Sequence, residues 1–195
     1  MTATTAVEKD TVLKLFKDFT VEYNPSSIAK ELKRTRAGTF KALNFLEKDV
    51  IVEGKNFGKA RFYWINLEDE YARKNVEILL MEEAKEYQRW KDEFKELFNY
   101  VDIVILFGSI IKNENKAKDI DLLLIFNEKN NSQVNRIIKS KNEVLLKKIH
   151  PMKQTREDLK ENIKKRDRIL INAIKEGIVL HGYEEFVELI KDVKS

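Results

Sequence analysis

Apolar residues recur at helical spacing through the first fifty residues, and then alternate as strands do. Val12, Leu13, Leu15, Phe16 and Phe19 form a stripe that predicts a helix over about residues 7–19. Asn24-Pro25-Ser26-Ser27 reads as the start of a second, short helix, with proline tolerated early and a serine available as cap. Ile28, Ala29 and Leu32 give that helix its apolar side, and Lys33-Arg34-Thr35 reads as a turn. A third helix is expected over about 36–48, with Phe40, Leu43 and Leu46 facing inward. Val50–Gly54 and Ala60–Ile65 are two β-rich runs around a turn at Lys55–Lys59.

From Glu68 to Tyr100 there is neither glycine nor proline, and Leu80, Ala84, Tyr87, Trp90, Phe94 and Leu97 recur every three or four residues. This predicts one long or slightly broken amphipathic helix whose Trp90–Phe98 end packs on the sheet that follows. The Ile78–Met81 cluster packs either within the chain or on a second subunit, in a homodimer. Beyond it, strands and helices alternate. Strands are expected over 101–107, 120–126, 143–149 and 178–180, and helices over 132–141, 156–165, 167–176 and 183–193. The fold class is therefore α+β. The chain is read as residues 1–66, a joining helix over 67–100, and a sheet domain over 101–195.

Composition narrows this picture only slightly. The 195 residues hold 37 Lys+Arg against 33 Asp+Glu, a net +4 that is too mild to imply nucleic acid by itself. Its distribution says more. Residues 25–61 carry nine basic against four acidic residues, a local +5, whereas residues 67–100 carry six against ten, a local −4. A nucleic acid would prefer the first block. There is no cysteine, which excludes a disulfide framework and thiolate metal sites. No apolar run has membrane-spanning length and no apolar leader opens the chain, so the expected location is the cytoplasm, with no membrane partner.

The chemistry concentrates in the sheet domain. Residues two apart on a strand point to the same face, so Asp119 and Asp121 aim two carboxylates at one place while Ile120 and Leu122 enter the core. Two carboxylates on one face suit a hard cation, and Mg²⁺ is the usual choice beside phosphates. Gly108-Ser109, at the end of the preceding strand, can bring backbone N–H groups and a hydroxyl close to a phosphate. His150 and His181 sit at strand ends and read as surface or packing residues.

The order strand, Gly-Ser, helix, strand, Asp-x-Asp resembles the minimal nucleotidyltransferase fold of the polymerase-beta type. Glu176–Gly182 is similar to that family's terminal segment, so the resemblance covers residues 101–182. It implies NTP as substrate and Mg²⁺ as cofactor. Gly108 and Ser109 would hold the β- and γ-phosphates, with Lys112 near them. Asp119 and Asp121 would be the metal ligands and the catalytic pair. It also implies a protein acceptor, such as a helical HEPN-type toxin, or a small-molecule hydroxyl. Three departures stand out. Ile111-Lys112-Asn113 replaces an Ala-Arg-Gly step, Lys118 replaces a serine before the first aspartate, and Lys147 or Lys148 lies where the next strand of active members carries a third acid.

The segment SSIAKELKRTRAGTFKALNFLEKDVIVEGKNFGKARFYWIN, within about Val7 to Asn66, resembles the winged helix-turn-helix of archaeal and bacterial regulators. That resemblance implies double-stranded DNA as a partner, with the third helix in the major groove and the hairpin as wing. Arg34, Arg36, Thr39 and Lys41 would then lie near the start of the groove helix, and Lys55, Lys59 and Arg61 on the wing. Two functions stay open. One is a nucleotidyltransferase, weak or inactive for want of the third carboxylate, attached to a DNA-binding wing. The other is a DNA-binding regulator whose transferase domain is an inactive or nucleotide-sensing remnant. A protein-interaction module using the long helix is a plainer third.

Overall fold

The computed structural model of this chain describes residues 5–194, which divide after Leu79 into two compact units. The first opens with α1 (Ala6–Lys17), capped by Thr5, whose hydroxyl accepts from the Glu8 N–H while the Glu8 carboxylate accepts from the Thr5 N–H at 2.8 Å. Asn24, rather than a serine, caps α2 (Pro25–Glu31): its side-chain oxygen accepts from the N–H groups of Ser26 and Ser27, each at 3.0 Å. Pro25 follows the cap, where a missing N–H costs nothing. Behind it, the buried Tyr23 hydroxyl donates to Asp18 at 2.5 Å, and Lys14 reaches the same carboxylate oxygen at 3.0 Å. Burial and that bond push the Tyr23 hydroxyl up to about 12.

Thr35 caps α3 (Arg36–Lys48), which buries Thr39, Ala42, Leu43 and Leu46, a stripe at i, i+3, i+4 and i+7. Phe40 lies one residue off that stripe and is half exposed, at 50%, so the expectation that it faces inward is corrected. Helix α3 closes with the Ile51 N–H on the Leu46 carbonyl at 2.9 Å and the Val50 N–H on the Glu47 carbonyl at 3.1 Å. This closure needs a left-handed residue, usually glycine, and Val50 takes that role at φ 62°. The strands β1 (Val52–Phe57) and β2 (Ala60–Ile65) pair antiparallel with Phe57 opposite Ala60. The turn is therefore only Gly58-Lys59, shorter than expected, because backbone pairing continues through the exposed Lys55, Asn56 and Phe57.

Helix α4 (Glu70–Ala84) is followed by a 3₁₀ turn at Lys85–Tyr87, then α5 (Gln88–Phe94) and a second 3₁₀ turn at Lys95–Asn99. The expected helix is thus broken twice, without glycine or proline at either break. In the second unit, Trp90 and Phe94 stack with ring centroids 5.9 Å apart and join a core with Leu97, Val104, Leu106, Leu122 and Leu124.

That core rests on a mixed sheet of β3 (Ile103–Phe107), β4 (Asp119–Ile125), β5 (Lys148–Gln154) and β6 (Ile178–His181), in the order β5-β4-β3-β6. β3 runs antiparallel to both β4 and β6, and β5 runs parallel to β4. The short α6 (Ser109–Lys112) links β3 to the loop before β4, and α7 (Asn131–Val144) makes the crossover to β5. Helices α8 (Arg156–Lys164), α9 (Arg168–Glu176) and α10 (Tyr183–Lys194) complete the unit, with α9 and α10 in contact with β3.

The strand expected over 143–149 is corrected: α7 runs on to Val144, and β5 begins only at Lys148. Val144 and Leu146 supplied the apolar run behind that expectation, yet they are 79% and 102% exposed. Pro151 is accommodated because β5 is an edge strand, where a missing N–H leaves no ladder bond unmade.

Candidate functional site

The site forms where β3 ends and β4 begins. The register sets Phe107 opposite Asp121, so the chain must turn at once after Phe107. Gly108 makes that turn at φ 81° and ψ −150°, a region open essentially to glycine alone. A Cβ at this position would stand 2.2 Å from Asp121 Oδ2. Gly108 is thus required twice, by its backbone angles and by the carboxylate lying against its Cα. Ser109 follows as the exposed first residue of α6, and its carbonyl accepts from the Asn113 N–H at 3.0 Å.

Asp119 and Asp121 share one face of β4, both half-buried. The parallel register of β4 with β5 places His150 opposite Asp121 and Lys148 opposite Asp119. His150 Nδ1 lies 3.3 Å from Asp119 Oδ2. One ligand atom each from Asp119, Asp121 and His150 falls within 4.8 Å of the others. Burial, and then the Asp119 charge, hold the Asp121 carboxyl above the ordinary carboxylate range, with His150 opposing. A carboxylate that is costly to ionise alone is eased by a cation, and two oxygens with one imidazole nitrogen fit a divalent ion.

The loop between α6 and β4 is fastened from β5's side of the sheet. Lys147 Nζ donates to the carbonyls of Glu114 at 2.7 Å and Ala117 at 2.5 Å. Lys147 is therefore a strut for this loop and does not stand in for a third acid. Lys148 donates to the Asn142 carbonyl, and Asn142 in turn accepts from the Ile149 N–H at 2.7 Å. His150 is a surface residue, as expected, and the register of β5 sets it beside the carboxylates. His181, by contrast, does pack: its ring stacks on Phe98 at 4.4 Å, and burial lowers its pKa. Lys112 extends from α6 to pair with Glu176 at 2.7 Å. Lys118 is exposed immediately before Asp119.

Residues 87–180 match the family model described as "Nucleotidyltransferase domain". The second unit carries a nucleotidyltransferase domain. The match spans the Gly108 turn, both aspartates and His150 together. Among solved structures, the chain aligns with the adhesin competence repressor AdcR of Streptococcus pyogenes at 15% identity, covering 72% of this chain and 80% of that one, with a TM-score of 0.33. It aligns with a variant of ZitR from Lactococcus lactis at 14% identity over 73% and 76% of the two chains, with a TM-score of 0.35. The winged-helix description of the first unit rests on its own three helices and hairpin. No curated protein matches the chain in sequence.

Of the basic residues assigned to DNA in that first unit, Arg36 and Lys41 are exposed on α3, Lys55 on β1 and Lys59 in the hairpin turn. Arg34 pairs with Asp10 at 2.9 Å, and Arg61 is engaged by Glu47 and by Asn56. Thr39 is fully buried, which corrects its placement on the groove-facing side; its hydroxyl has no hydrogen-bond partner among the described residues. No helix among the described residues is long and apolar enough to cross a membrane.

Proposed function

We propose that this protein is a cation-dependent nucleotidyltransferase attached to a DNA-binding winged helix. The observation that carries the reading is the convergence of Asp119 and Asp121 against the Gly108 turn, within a matched nucleotidyltransferase segment. Gly108 and Ser109 bring backbone N–H groups and a hydroxyl to the β- and γ-phosphates of an NTP. Asp119 and Asp121 are the residues that would hold Mg²⁺ or a similar cation beside the triphosphate. Such a cation would supply positive charge at the α-phosphate. The acceptor hydroxyl oxygen of a protein or small molecule bonds to the α-phosphorus. The bond from that phosphorus to the bridging oxygen breaks, pyrophosphate departs with the electron pair, and the hydroxyl proton passes to solvent.

Strand β5 contains no acidic residue to take that proton. General-base help is typically worth about 10²–10⁴-fold, so turnover is expected to be slow. The same feature favours a second reading, in which the domain binds nucleotide without transferring it and the wing regulates transcription. The exposed Arg36, Lys41, Lys55 and Lys59, in a block of local +5 charge, support duplex DNA as the wing's partner in both readings.

Incubation with divalent cation, cell lysate and ATP, GTP, CTP or UTP labelled at the α- or the γ-phosphate separates the two. Transfer predicts that α-label enters a protein or small-molecule acceptor while γ-label leaves as pyrophosphate, and that Asp119→Asn abolishes the incorporation. Bound nucleotide with no α-label incorporated from any of the four would establish the second reading instead.

A further inference from the structure

The strand paired with the aspartates' own strand brings an imidazole to their side. The parallel register with β4 sets His150 opposite Asp121 and on the same face as both carboxylates. Its Nδ1 is 3.3 Å from Asp119 Oδ2, and one donor atom from each of the three residues lies within a 4.8 Å cluster. The neighbouring lysines leave that cluster open. Lys147 is tied to the Glu114 and Ala117 carbonyls, and Lys148 to the Asn142 carbonyl. His150 is exposed, so its ring can turn about χ1 and χ2 without disturbing the core.

We infer that His150 is the third protein ligand of the cation, and that its nitrogen makes the site prefer Mn²⁺ over Mg²⁺. The inference rests on the reading that Asp119 and Asp121 hold a divalent cation. Mg²⁺ is a hard ion that takes oxygen ligands and gives up its waters reluctantly. An imidazole nitrogen in the first shell therefore contributes little to its binding. Mn²⁺ accepts the same octahedral oxygen donors but also bonds imidazole, as later first-row dications do more strongly. A site with two carboxylate oxygens and one imidazole nitrogen retains three ligands for Mn²⁺ and in effect two for Mg²⁺. An imidazole beside the two carboxylates thus sets which ion is held.

The test is electron paramagnetic resonance of Mn²⁺ with the full-length protein. Free Mn²⁺ gives a strong signal that binding removes, so the titration yields Mn²⁺ affinity, and competition yields Mg²⁺ affinity. Wild type is expected to hold Mn²⁺ at least about tenfold more tightly than Mg²⁺. His150→Ala should lose about ten- to a hundredfold in Mn²⁺ affinity with Mg²⁺ affinity nearly unchanged, a loss of the size seen when a metal site's surroundings are altered. His150→Asp should narrow the preference by supplying an oxygen ligand that serves both ions. Spin-echo modulation should reveal nitrogen coupling to bound Mn²⁺ in wild type and none in His150→Ala.

Absence of nitrogen coupling in wild type, or a His150→Ala protein with unchanged Mn²⁺ to Mg²⁺ selectivity, would overturn the inference. If Asp119→Asn and Asp121→Asn still abolish binding of both ions, the two-carboxylate site survives that outcome. If those variants bind both ions as wild type does, the site reading itself fails.

Discussion

Replacing Gly108 with alanine perturbs the candidate site at one atom. The new methyl would stand 2.2 Å from Asp121 Oδ2, where ordinary contact begins at 3.4 Å, so the carboxylate must retreat by roughly 1 Å. The backbone at φ 81°, ψ −150° lies in a region that costs a non-glycine residue about 1–3 kcal/mol. Gly108→Ala is therefore expected to destabilise the second unit by at least about 1–3 kcal/mol, before the displaced side chain is counted. Moving Asp121 off its partners should also weaken cation binding at least about tenfold, since one of three donors leaves. Urea denaturation followed by Trp90 fluorescence, in a Trp64→Phe background, reads the second unit alone. Gly58→Ala is the control. It has a similar positive φ of 60° but no atom within 4 Å of the added methyl, so cation affinity should stay at the wild-type value. A Gly108→Ala protein with wild-type stability and wild-type cation affinity would refute the argument that this turn and the carboxylate require a glycine.

Three further outcomes follow from the first unit. Val50→Gly should stabilise it by about 1 kcal/mol in urea denaturation, because an L-residue in the left-handed region costs roughly 1–2 kcal/mol and glycine returns part of that as chain entropy; a loss of stability would show that Val50 makes compensating contacts. Tyr23→Phe should cost about 1.5–3 kcal/mol, since it removes a hydrogen bond to the buried Asp18 carboxylate; no change in the denaturation midpoint would rule that bond out as a source of stability. Arg36→Ala with Lys41→Ala should reduce the slope of log affinity against log salt for duplex DNA by about 2, as two phosphate contacts are lost. Wild-type binding that ignores salt, or no binding to any duplex at low salt, would reject the electrostatic footprint.

Helix α3 is readable from sequence at both ends because Thr35 caps it and an apolar stripe defines its buried face. Hydrophobicity alone favours Phe40 over Thr39 for that face. Side-chain polarity suggested the opposite of what a 100° step per residue imposes once Leu43 and Leu46 are fixed. The breaks at Lys85–Tyr87 and Lys95–Asn99 had no local signal, since no glycine or proline lies there and the stripe runs straight through them. Asp119, Asp121 and Gly108 stand out because their spacing on consecutive strands is itself the chemistry. The place of His150 beside the carboxylates carries no local signal. Val144-Leu145-Leu146 looks more strand-like than Ile149-His150-Pro151, yet the first run finishes a helix and leaves Leu146 in solvent. Pairing across an edge strand, which no local pattern encodes, put the histidine beside the carboxylates.

Calorimetric titration of Mg²⁺–ATP and Mn²⁺–ATP into the wild type and into the Asp119→Asn, Asp121→Asn double variant tests the central claim most directly. Removing two anionic ligands from one face of β4 should abolish cation-dependent nucleotide binding, while the wild type binds saturably. Equal binding by wild type and double variant would contradict the assignment of this site.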